Sequence, residues 1–262
     1  MSSIIRSVQA MDLLARKGPL GVRAVAQQLQ LPLGSVHRML LDLAEAGVAD
    51  RTPSGEWELS FRLLEITGLQ LERIDLPRLC RPFAEQIAEA TKETVNINAL
   101  SGLNGVCIDK VRGNEGMQLD LRIGSRGPLN CGGAGKAMLS YMSEERREEV
   151  YAHPLPALTS HTIVDAAKLR EEIERIRARF YSIDDQEVVM GVYCVAVPLL
   201  DRTGLSVGAM SVTGPSVKKP GGDNVMPVVA MLWDACEHVS RRLGYAGVWP
   251  PVAATAAERL AG

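Results

Sequence analysis

Residues 21–57, GVRAVAQQLQLPLGSVHRMLLDLAEAGVADRTPSGEW, contain two short amphipathic segments joined by a proline-containing hinge. Apolar residues recur at helical spacing in both segments: Val22, Val25, Ala26 and Leu29 in the first, and Val36, Met39, Leu40 and Leu43 in the second. Pro32 ends the first helix because it lacks an N–H group and its ring clashes with the preceding turn. The pattern therefore predicts a helix-turn-helix.

A short hairpin is predicted after Gly47. Residues 48–51 and 56–59 have the composition of strands, and the Thr-Pro-Ser-Gly sequence between them is typical of a turn. A hairpin that follows the second helix has the position of a wing. Residues 4–17 add a further helix in front. Together these elements predict a winged helix-turn-helix DNA-binding domain over residues 1–60, with double-stranded operator DNA as its partner.

Six polar residues of this domain are candidate DNA contacts. Ser35, His37 and Arg38 are predicted to open the second helix, where a recognition helix meets base edges and phosphates. The other three candidates are arginines of the N-terminal arm, the first helix and the wing: Arg6, Arg23 and Arg51. The alternatives are a solvated helix face for His37 and Arg38, a helix cap for Ser35 and an exposed strand end for Arg51.

The charge balance limits how the domain binds DNA. The whole chain has a net charge of −2, and its first 62 residues carry seven basic and six acidic side chains. One copy of the domain is therefore not expected to bind phosphates strongly without sequence preference. Binding to DNA therefore requires that the arginines lie together on one surface and that a dimer supplies two such surfaces.

The rest of the chain has the pattern of an α+β domain. The apolar run at residues 61–75 predicts a linker helix. Further helices are predicted at 76–92, 134–141, 144–151, 165–180 and 225–243, and strands at 94–100, 105–111, 117–122, 194–200 and 205–213. The first three strands predict an antiparallel meander. Residues 76–246 are thus expected to form one domain with one sheet, and residues 247–262 a flexible tail.

Composition excludes several classes of protein. The chain has no run of about 20 apolar residues and no signal pattern at its N-terminus, which predicts a cytoplasmic protein. Its five cysteines are widely spaced without a CxxC pair, so we expect free buried thiols and no metal or cofactor. No Gly-x-Ser-x-Gly elbow or dinucleotide motif supports catalysis, and the histidines are scattered along the chain. We therefore predict no catalytic residues and no enzyme.

Four blocks of sequence carry a resemblance to a known family. They are LPLGSVHRML at residues 31–40, GPLNCGGAGKAML at 127–139, YSIDDQE at 181–187 followed by GVYCVAVP at 191–198, and AMSVTGP at 209–215. With these blocks the chain resembles the IclR family of bacterial transcriptional regulators over essentially its whole length. One departure is that Leu33 and Gly34 stand where the family usually has a lysine and a small hydroxyl residue.

The resemblance implies a fold and an assembly. It implies an N-terminal winged helix-turn-helix domain, a linker helix and a C-terminal GAF-like α/β domain with an antiparallel sheet. The resemblance also implies that this second domain binds an effector, a small molecule that switches DNA binding. The resemblance also implies a homodimer, and dimers that pair into tetramers on DNA.

A candidate effector site combines residue chemistry with the resemblance. The segment CGGAGK at residues 131–136 lacks the spacing of a P-loop, but the free amides of a helix start favour an oxygen atom. Ser211 and Thr213 share one face of a predicted strand. The resemblance implies that Asp184, Cys194, Ser211 and Thr213 line the site together with Gly133 and Ala134. Several of these residues also have a purely structural alternative. The glycine loop could serve close packing on the sheet, Asp184 could cap or turn the chain, and Cys194 could be a core residue.

The sequence therefore predicts a repressor whose operator binding is switched by a small carboxylate or an aromatic acid. Two other functions are kept as alternatives. The first is a redox-sensing regulator that acts through Cys194 or Cys131, although their apolar neighbours do not favour a reactive thiolate. The second is a GAF-like small-molecule enzyme.

Overall fold

The computed structural model of this chain describes residues 3–66, 75–113, 122–218 and 225–251. It divides the chain into two compact units, Met1–Asp75 and Leu76–Gly262. Three predicted segments fall wholly or mainly outside the described residues: positions 67–74 of the linker helix, positions 117–121 of the third strand and positions 252–262 of the tail. Within the described ranges, no helix is long and apolar enough to cross a membrane.

Within residues 3–59, the N-terminal unit consists of three helices and a two-stranded hairpin. The elements are α1 (Ser3–Lys17), α2 (Val22–Leu29), α3 (Leu33–Glu45), β1 (Ala49–Arg51) and β2 (Trp57–Leu59). The apolar faces predicted for α2 and α3 pack with Leu14 of α1 and Trp57 of β2 into one core. Leu20 and Trp57 exchange two backbone hydrogen bonds of 2.9 Å, which join the hairpin to the start of α2. This is the predicted winged helix-turn-helix.

The recognition helix begins earlier than the sequence predicts. α3 starts at Leu33 because Pro32 takes the N-cap position in an extended conformation, with φ −58° and ψ 136°. Ser35 is therefore the third residue of the helix, and its predicted alternative as a cap is wrong. His37 and Arg38 consequently lie in the second turn of α3 and not in the first.

The predicted linker helix is described only in part. Residues 62–66 are helical. In the C-terminal unit, α4 (Asp75–Thr91) then runs as predicted, with Pro77 in its first turn, where a missing N–H costs no hydrogen bond.

The C-terminal unit contains a six-stranded antiparallel sheet. Its strands are β3 (Thr94–Ser101), β4 (Asn104–Val111), β5 (Arg126–Pro128), β6 (Ser182–Asp185), β7 (Val192–Leu200) and β8 (Ser206–Pro215). Their order across the sheet is β5-β4-β3-β8-β7-β6. Asn96 of β3 is paired with Lys110 of β4 on one side and with Ser211 of β8 on the other.

This order differs from a simple meander for a physical reason. Alternation of residue types identifies a strand but does not identify its neighbours, so the pairing of β3 with β8 was not predicted. The sequence also missed β5 and β6. β5 is only three residues long, and β6 buries its polar residues, Ser182 and Asp184, while Ile183 is only half-buried.

The described residues of this unit form four further α-helices: α5 (Gly133–Ser140), α6 (Glu144–Ala152), α7 (Ala166–Arg179) and α8 (Met226–Arg242). Met138 and Leu139 of α5 pack with Leu169 and Ile173 of α7 in a buried core that includes Ala196 of β7. α5 is thereby held against the sheet, with its first turn over β7.

The first residues of the predicted flexible tail are packed against the C-terminal unit. Trp249 lies edge-on to Phe180, with ring centroids 4.7 Å apart, and its indole N–H donates to the carbonyl of Trp233 at 3.1 Å. The described part of the predicted tail is thus fixed, because a large aromatic ring there finds an apolar partner.

Candidate functional site

A cavity of about 240 Å³ lies between the sheet and the first turn of α5. Every strand of the six-stranded sheet contributes to its wall, and Leu158, Val188 and Val189 line it from neighbouring loops. All six residues that the sequence predicts for the effector site line this one cavity: Gly133, Ala134, Asp184, Cys194, Ser211 and Thr213.

Strand register explains why four of these residues meet. Asp184 of β6 is paired with Cys194 of β7, and Cys194 is paired with Thr213 of β8. Because directly opposed residues of neighbouring strands point to the same face of a sheet, these three side chains form one row. Ser211 joins them from the same face of β8, two residues before Thr213.

The start of α5 brings backbone donors to the same place. The amide of Lys136 is the first in the helix to donate to a carbonyl, that of Gly132, at 3.1 Å. The amides of Gly133, Ala134 and Gly135 therefore come before the hydrogen-bonded ladder of the helix and can donate to an oxygen atom. The amide of Gly133 also donates to the sulfur of Cys194. A Cβ atom on Gly133 would lie 2.8 Å from the sulfur of Cys194. The glycine loop thus packs closely on the sheet and also presents donors.

Asp184 is the buried acid of the cavity. Burial raises the pKa of its carboxyl group to about 6, while a hydrogen bond from the amide of Glu187 to Oδ1, at 2.7 Å, acts in the opposite direction. A carboxyl group with such a pKa exchanges a proton close to neutral pH. It can therefore accept a hydrogen bond from a hydroxyl group or donate one to a carboxylate.

A buried ion pair beneath the cavity was missed by sequence reasoning. Lys136 of α5, whose side chain is 1% exposed, donates to the carboxylate of Glu187 and, at 2.7 Å, to the carbonyl of Ile183. The amide of Gly132 donates to the other carboxylate oxygen of Glu187 at 3.2 Å. A lysine in a helix of otherwise small and apolar residues was a signal for a buried acid partner, but only the fold identifies which acid.

Two asparagines of the cavity wall were also missed. Asn96 and Asn98 line the cavity from β3, and the side-chain amide of Asn96 donates to Oγ1 of Thr213 at 3.1 Å. Their signal in the sequence is the spacing of two residues on a predicted strand, which places both on one face. Their partners on β8 lie far along the chain, so no local pattern linked the two asparagines to the site.

The thiols of the cavity are not activated. Burial, followed by the charge of Asp184, raises the pKa of Cys194 to about 11, and burial raises that of Cys131 to about 12. Thiols with such pKa values are protonated and react slowly at neutral pH. No group of three His, Cys, Asp or Glu side chains among the described residues is arranged to hold a metal ion.

The predicted DNA contacts of α2 and α3 lie on the surface of the N-terminal unit. Arg23, Ser35, His37 and Arg38 are all exposed. The guanidinium group of Arg38 lies 3.8 Å from a carboxylate oxygen of Asp42, one helical turn away, and its side chain is 84% exposed. These side chains are therefore accessible to a groove.

Arg6 and Arg51 are in different surroundings. Arg6 is half-buried on α1, and its Nε atom has no hydrogen-bond acceptor within the part of the chain that the structure describes. Arg51 donates to the carbonyl of Gly55 at 3.1 Å, and its guanidinium group lies 5.8 Å from the ring centre of Trp57. Arg51 thus stabilises the hairpin turn while its charge stays exposed.

Both units match models of one protein family. Residues 3–53 match the model described as the IclR helix-turn-helix domain, and residues 69–241 match the one described as the bacterial transcriptional regulator IclR C-terminal domain.

Curated proteins of known name are similar over nearly the whole chain. The regulator KdgR of Dickeya chrysanthemi is 27% identical over 94% of this chain and 81% of its own length. The transcriptional repressor IclR of Escherichia coli is 28% identical over 95% of this chain and 91% of its own length.

Solved structures share the fold of the whole chain. The IclR protein of Thermotoga maritima has a TM-score of 0.77 and 26% identity, and the match covers 93% of this chain and 99% of that one. An IclR homologue from Microbacterium hydrocarbonoxydans, solved in complex with 4-hydroxybenzoate, has a TM-score of 0.79 at 21% identity, with 92% and 99% coverage.

Proposed function

The chain belongs to the IclR family of bacterial transcriptional regulators, and from that premise we propose that it is a repressor whose operator binding is switched by a small organic or aromatic acid. The operator is bound by the N-terminal unit, and the acid is bound in the cavity of the C-terminal unit. The observation that carries this proposal is the convergence of six predicted residues on one cavity.

The recognition helix supports the DNA-binding part of the proposal. The exposed face of α3 carries Ser35, His37 and Arg38, and Arg23 is exposed on α2. Arginine forks bind guanine edges and phosphates with two hydrogen bonds, so Arg38 is the principal contact. Arg51 contributes through the wing. Arg6 remains a candidate contact from the arm, although its half-buried side chain has less reach.

The polar groups of the cavity define the class of effector. Amides of Gly133 and Ala134 and the hydroxyl groups of Ser211 and Thr213 donate hydrogen bonds, and Asp184 supplies an acceptor or a proton. These groups suit a compound with several oxygen atoms. The volume of about 240 Å³ lies below the roughly 300 to 1,000 Å³ of sites for drug-sized ligands, which favours a small acid. The structural neighbour with 4-hydroxybenzoate makes that compound a natural first probe.

The switch follows from differential affinity. An effector changes DNA binding only if it binds two arrangements of the protein with different affinity. In a homodimer, the two recognition helices must enter successive major grooves about 34 Å apart. An effector that changes this spacing weakens operator binding. We propose a dimer, pairing further into a tetramer, as the assembly on DNA.

A thermal-shift screen tests the effector site first. A ligand that binds only the folded state raises the melting temperature, so we expect one or more small carboxylates or aromatic acids to raise it. Ser211→Ala is expected to abolish the shift, since its hydroxyl group lines the cavity.

Ser206→Ala is the matched control on the same strand, because Ser206 is buried, bonds to the carbonyl of Gly208 and does not line the cavity. A ligand shift of equal size in both serine variants would overturn the assignment of the site. A ligand that leaves the affinity for operator DNA unchanged would overturn the switch.

A further inference from the structure

Glu187 is hydrogen-bonded to several residues in and behind the cavity wall. Its carboxylate accepts from Lys136 of α5 and from the amide of Gly132 at the N-cap of that helix. Its amide donates to Asp184 Oδ1 at 2.7 Å. Its carbonyl accepts from the hydroxyl group of Thr162 at 2.6 Å. One residue thus ties together the first turn of α5, the acid of β6 and two loops that border the cavity.

Lys136 completes this arrangement from the helix side. Its ammonium group is shared between Glu187 and the carbonyl of Ile183, the residue before Asp184. Neither Lys136 nor Glu187 lines the cavity. Both residues therefore lie behind the cavity wall. Glu187 holds Gly132 through its carboxylate and Asp184 through its amide, and Lys136 holds the residue before Asp184.

A second buried acid in the same unit is also paired with a basic side chain, but this pair lies away from the cavity. Asp109 of β4 is buried and bonded by Arg81 of α4, with Nη2–Oδ1 and Nε–Oδ2 distances of 2.5 and 3.1 Å. Neither residue lines the cavity or contacts Asp184. This pair serves as a control because it also joins a helix to a buried acid, although the side chain of Arg81 is 48% exposed and that of Lys136 only 1%.

We propose that Lys136 and Glu187 are positioning residues of the effector site. Their ion pair holds the Asp184 carboxyl group and the first amides of α5 in the arrangement that binds the effector. The site therefore depends on two side chains that do not touch the ligand. The binding half of this statement rests on the proposed function, whereas the effect on Asp184 is independent of any ligand.

The charges around Asp184 predict the direction in which its pKa should change when either member of the ion pair is removed. Asp184 is faced by Asp185 and Glu187 from its own segment, by Lys136 from α5, by Cys131 from the loop before α5 and by Cys194 from β7. Lys136 favours the ionised form of Asp184, and the carboxylate of Glu187 opposes it. Removing one charge or the other should therefore move the titration of Asp184 in opposite directions.

The first experiment titrates Asp184 in the ligand-free full chain by carbon-13 NMR of labelled aspartate, with Asp184→Asn to assign the signal. Glu187→Gln should lower the midpoint by about 1 unit, and Lys136→Met should raise it by a similar amount. Arg81→Met with Asp109→Asn should leave it in place. Midpoints that do not move with either charge would overturn the proposal.

The second experiment measures binding of 4-hydroxybenzoate and benzoate by calorimetry. The double variant Lys136→Met/Glu187→Gln removes both charges together, so that no buried charge is left unpaired and the fold is retained. We expect its affinity to fall roughly tenfold, as for the loss of one well-placed hydrogen bond.

The control double variant Arg81→Met/Asp109→Asn should bind as the wild type does. Unchanged affinity in Lys136→Met/Glu187→Gln would overturn the positioning role, even if Asp184 titrates differently. Wild-type protein that binds neither probe would count against the proposed effector class. In that case the NMR titration still decides whether the ion pair controls Asp184.

Discussion

The polar groups of α3 and those around the cavity are held in opposite ways. The side chain of Arg38 is 84% exposed, whereas that of Lys136 is 1% exposed. Arg38 has one weak contact with Asp42, while Lys136 has two close acceptors. The comparison shows that the candidate DNA contacts of α3 are available because the fold does not use their side chains. Lys136 and Glu187 beneath the cavity are fixed because each satisfies the buried charge of the other.

This difference predicts which substitutions affect the fold. An exposed ion pair contributes about 0–1 kcal/mol, since water already solvates both charges. Breaking a buried pair by removing one partner leaves a charge without water or a counter-ion. Variants of the exposed polar residues of α3 should therefore change DNA binding alone, and variants of the ion pair beneath the cavity should change stability as well.

The largest expected effect is that of Lys136→Met on stability. It leaves the buried carboxylate of Glu187 without its cation, so we expect the free energy of unfolding to fall by about 3–5 kcal/mol. Urea unfolding followed by tryptophan fluorescence measures it. Arg175→Met is the control: Arg175 lies 3.2 Å from Glu172 but is 61% exposed, and its loss should cost less than about 1 kcal/mol. Equal losses for the two variants would break the comparison.

The pH dependence of stability is the next largest effect. Because the pKa of Asp184 rises from 3.8 to about 6 on folding, the folded state keeps a proton that the unfolded state loses between about pH 4 and pH 6. Stability contributed by this proton is therefore present below about pH 4 and is lost as the pH rises through that window. We expect Asp184→Asn to remove a decline on the order of 3 kcal/mol. Urea unfolding at several pH values measures it, and parallel curves would contradict the prediction.

Arg38→Ala should lower DNA affinity without a change in stability. Loss of one arginine contact to a base costs about 1–3 kcal/mol of binding free energy. Fluorescence anisotropy with a DNA fragment selected by the wild-type protein from a random pool measures this loss. Arg16→Ala is the control, since Arg16 is paired with Asp12 on α1 and is not a candidate contact. An effect of Arg38→Ala no larger than that of the control would remove Arg38 from the recognition surface.

The smallest expected effect is on cysteine labelling. All five cysteines are buried, and the raised pKa values of Cys131 and Cys194 keep both thiols protonated. Folded protein should take up no iodoacetamide at these positions in mildly alkaline buffer, whereas denatured protein should be labelled fully. Mass spectrometry of tryptic peptides distinguishes the two. Rapid labelling of Cys194 in the folded protein would favour the redox-sensing alternative.

Local patterns predicted most of the elements and some of the site. The helical spacing of apolar residues placed α1, α2 and α3 with errors of a few residues, because a helix satisfies its backbone within one segment. β5 and β6 were missed, since short edge strands depend on a neighbour more than on their own composition. The linker helix and the strand predicted at 117–122 lie largely outside the described residues and stay predictions.

The sequence by itself determined the two-part plan, the recognition helix and the identity of six cavity residues, the last through resemblance to a family. Only the tertiary structure decided that Lys136 is paired with Glu187, that Asn96 bonds to Thr213 and that burial raises the pKa of Asp184 to about 6. The reason is physical. Periodicity reports what a residue does within its own helix or strand, whereas burial and pairing depend on strand register and on contacts between residues far apart in the chain.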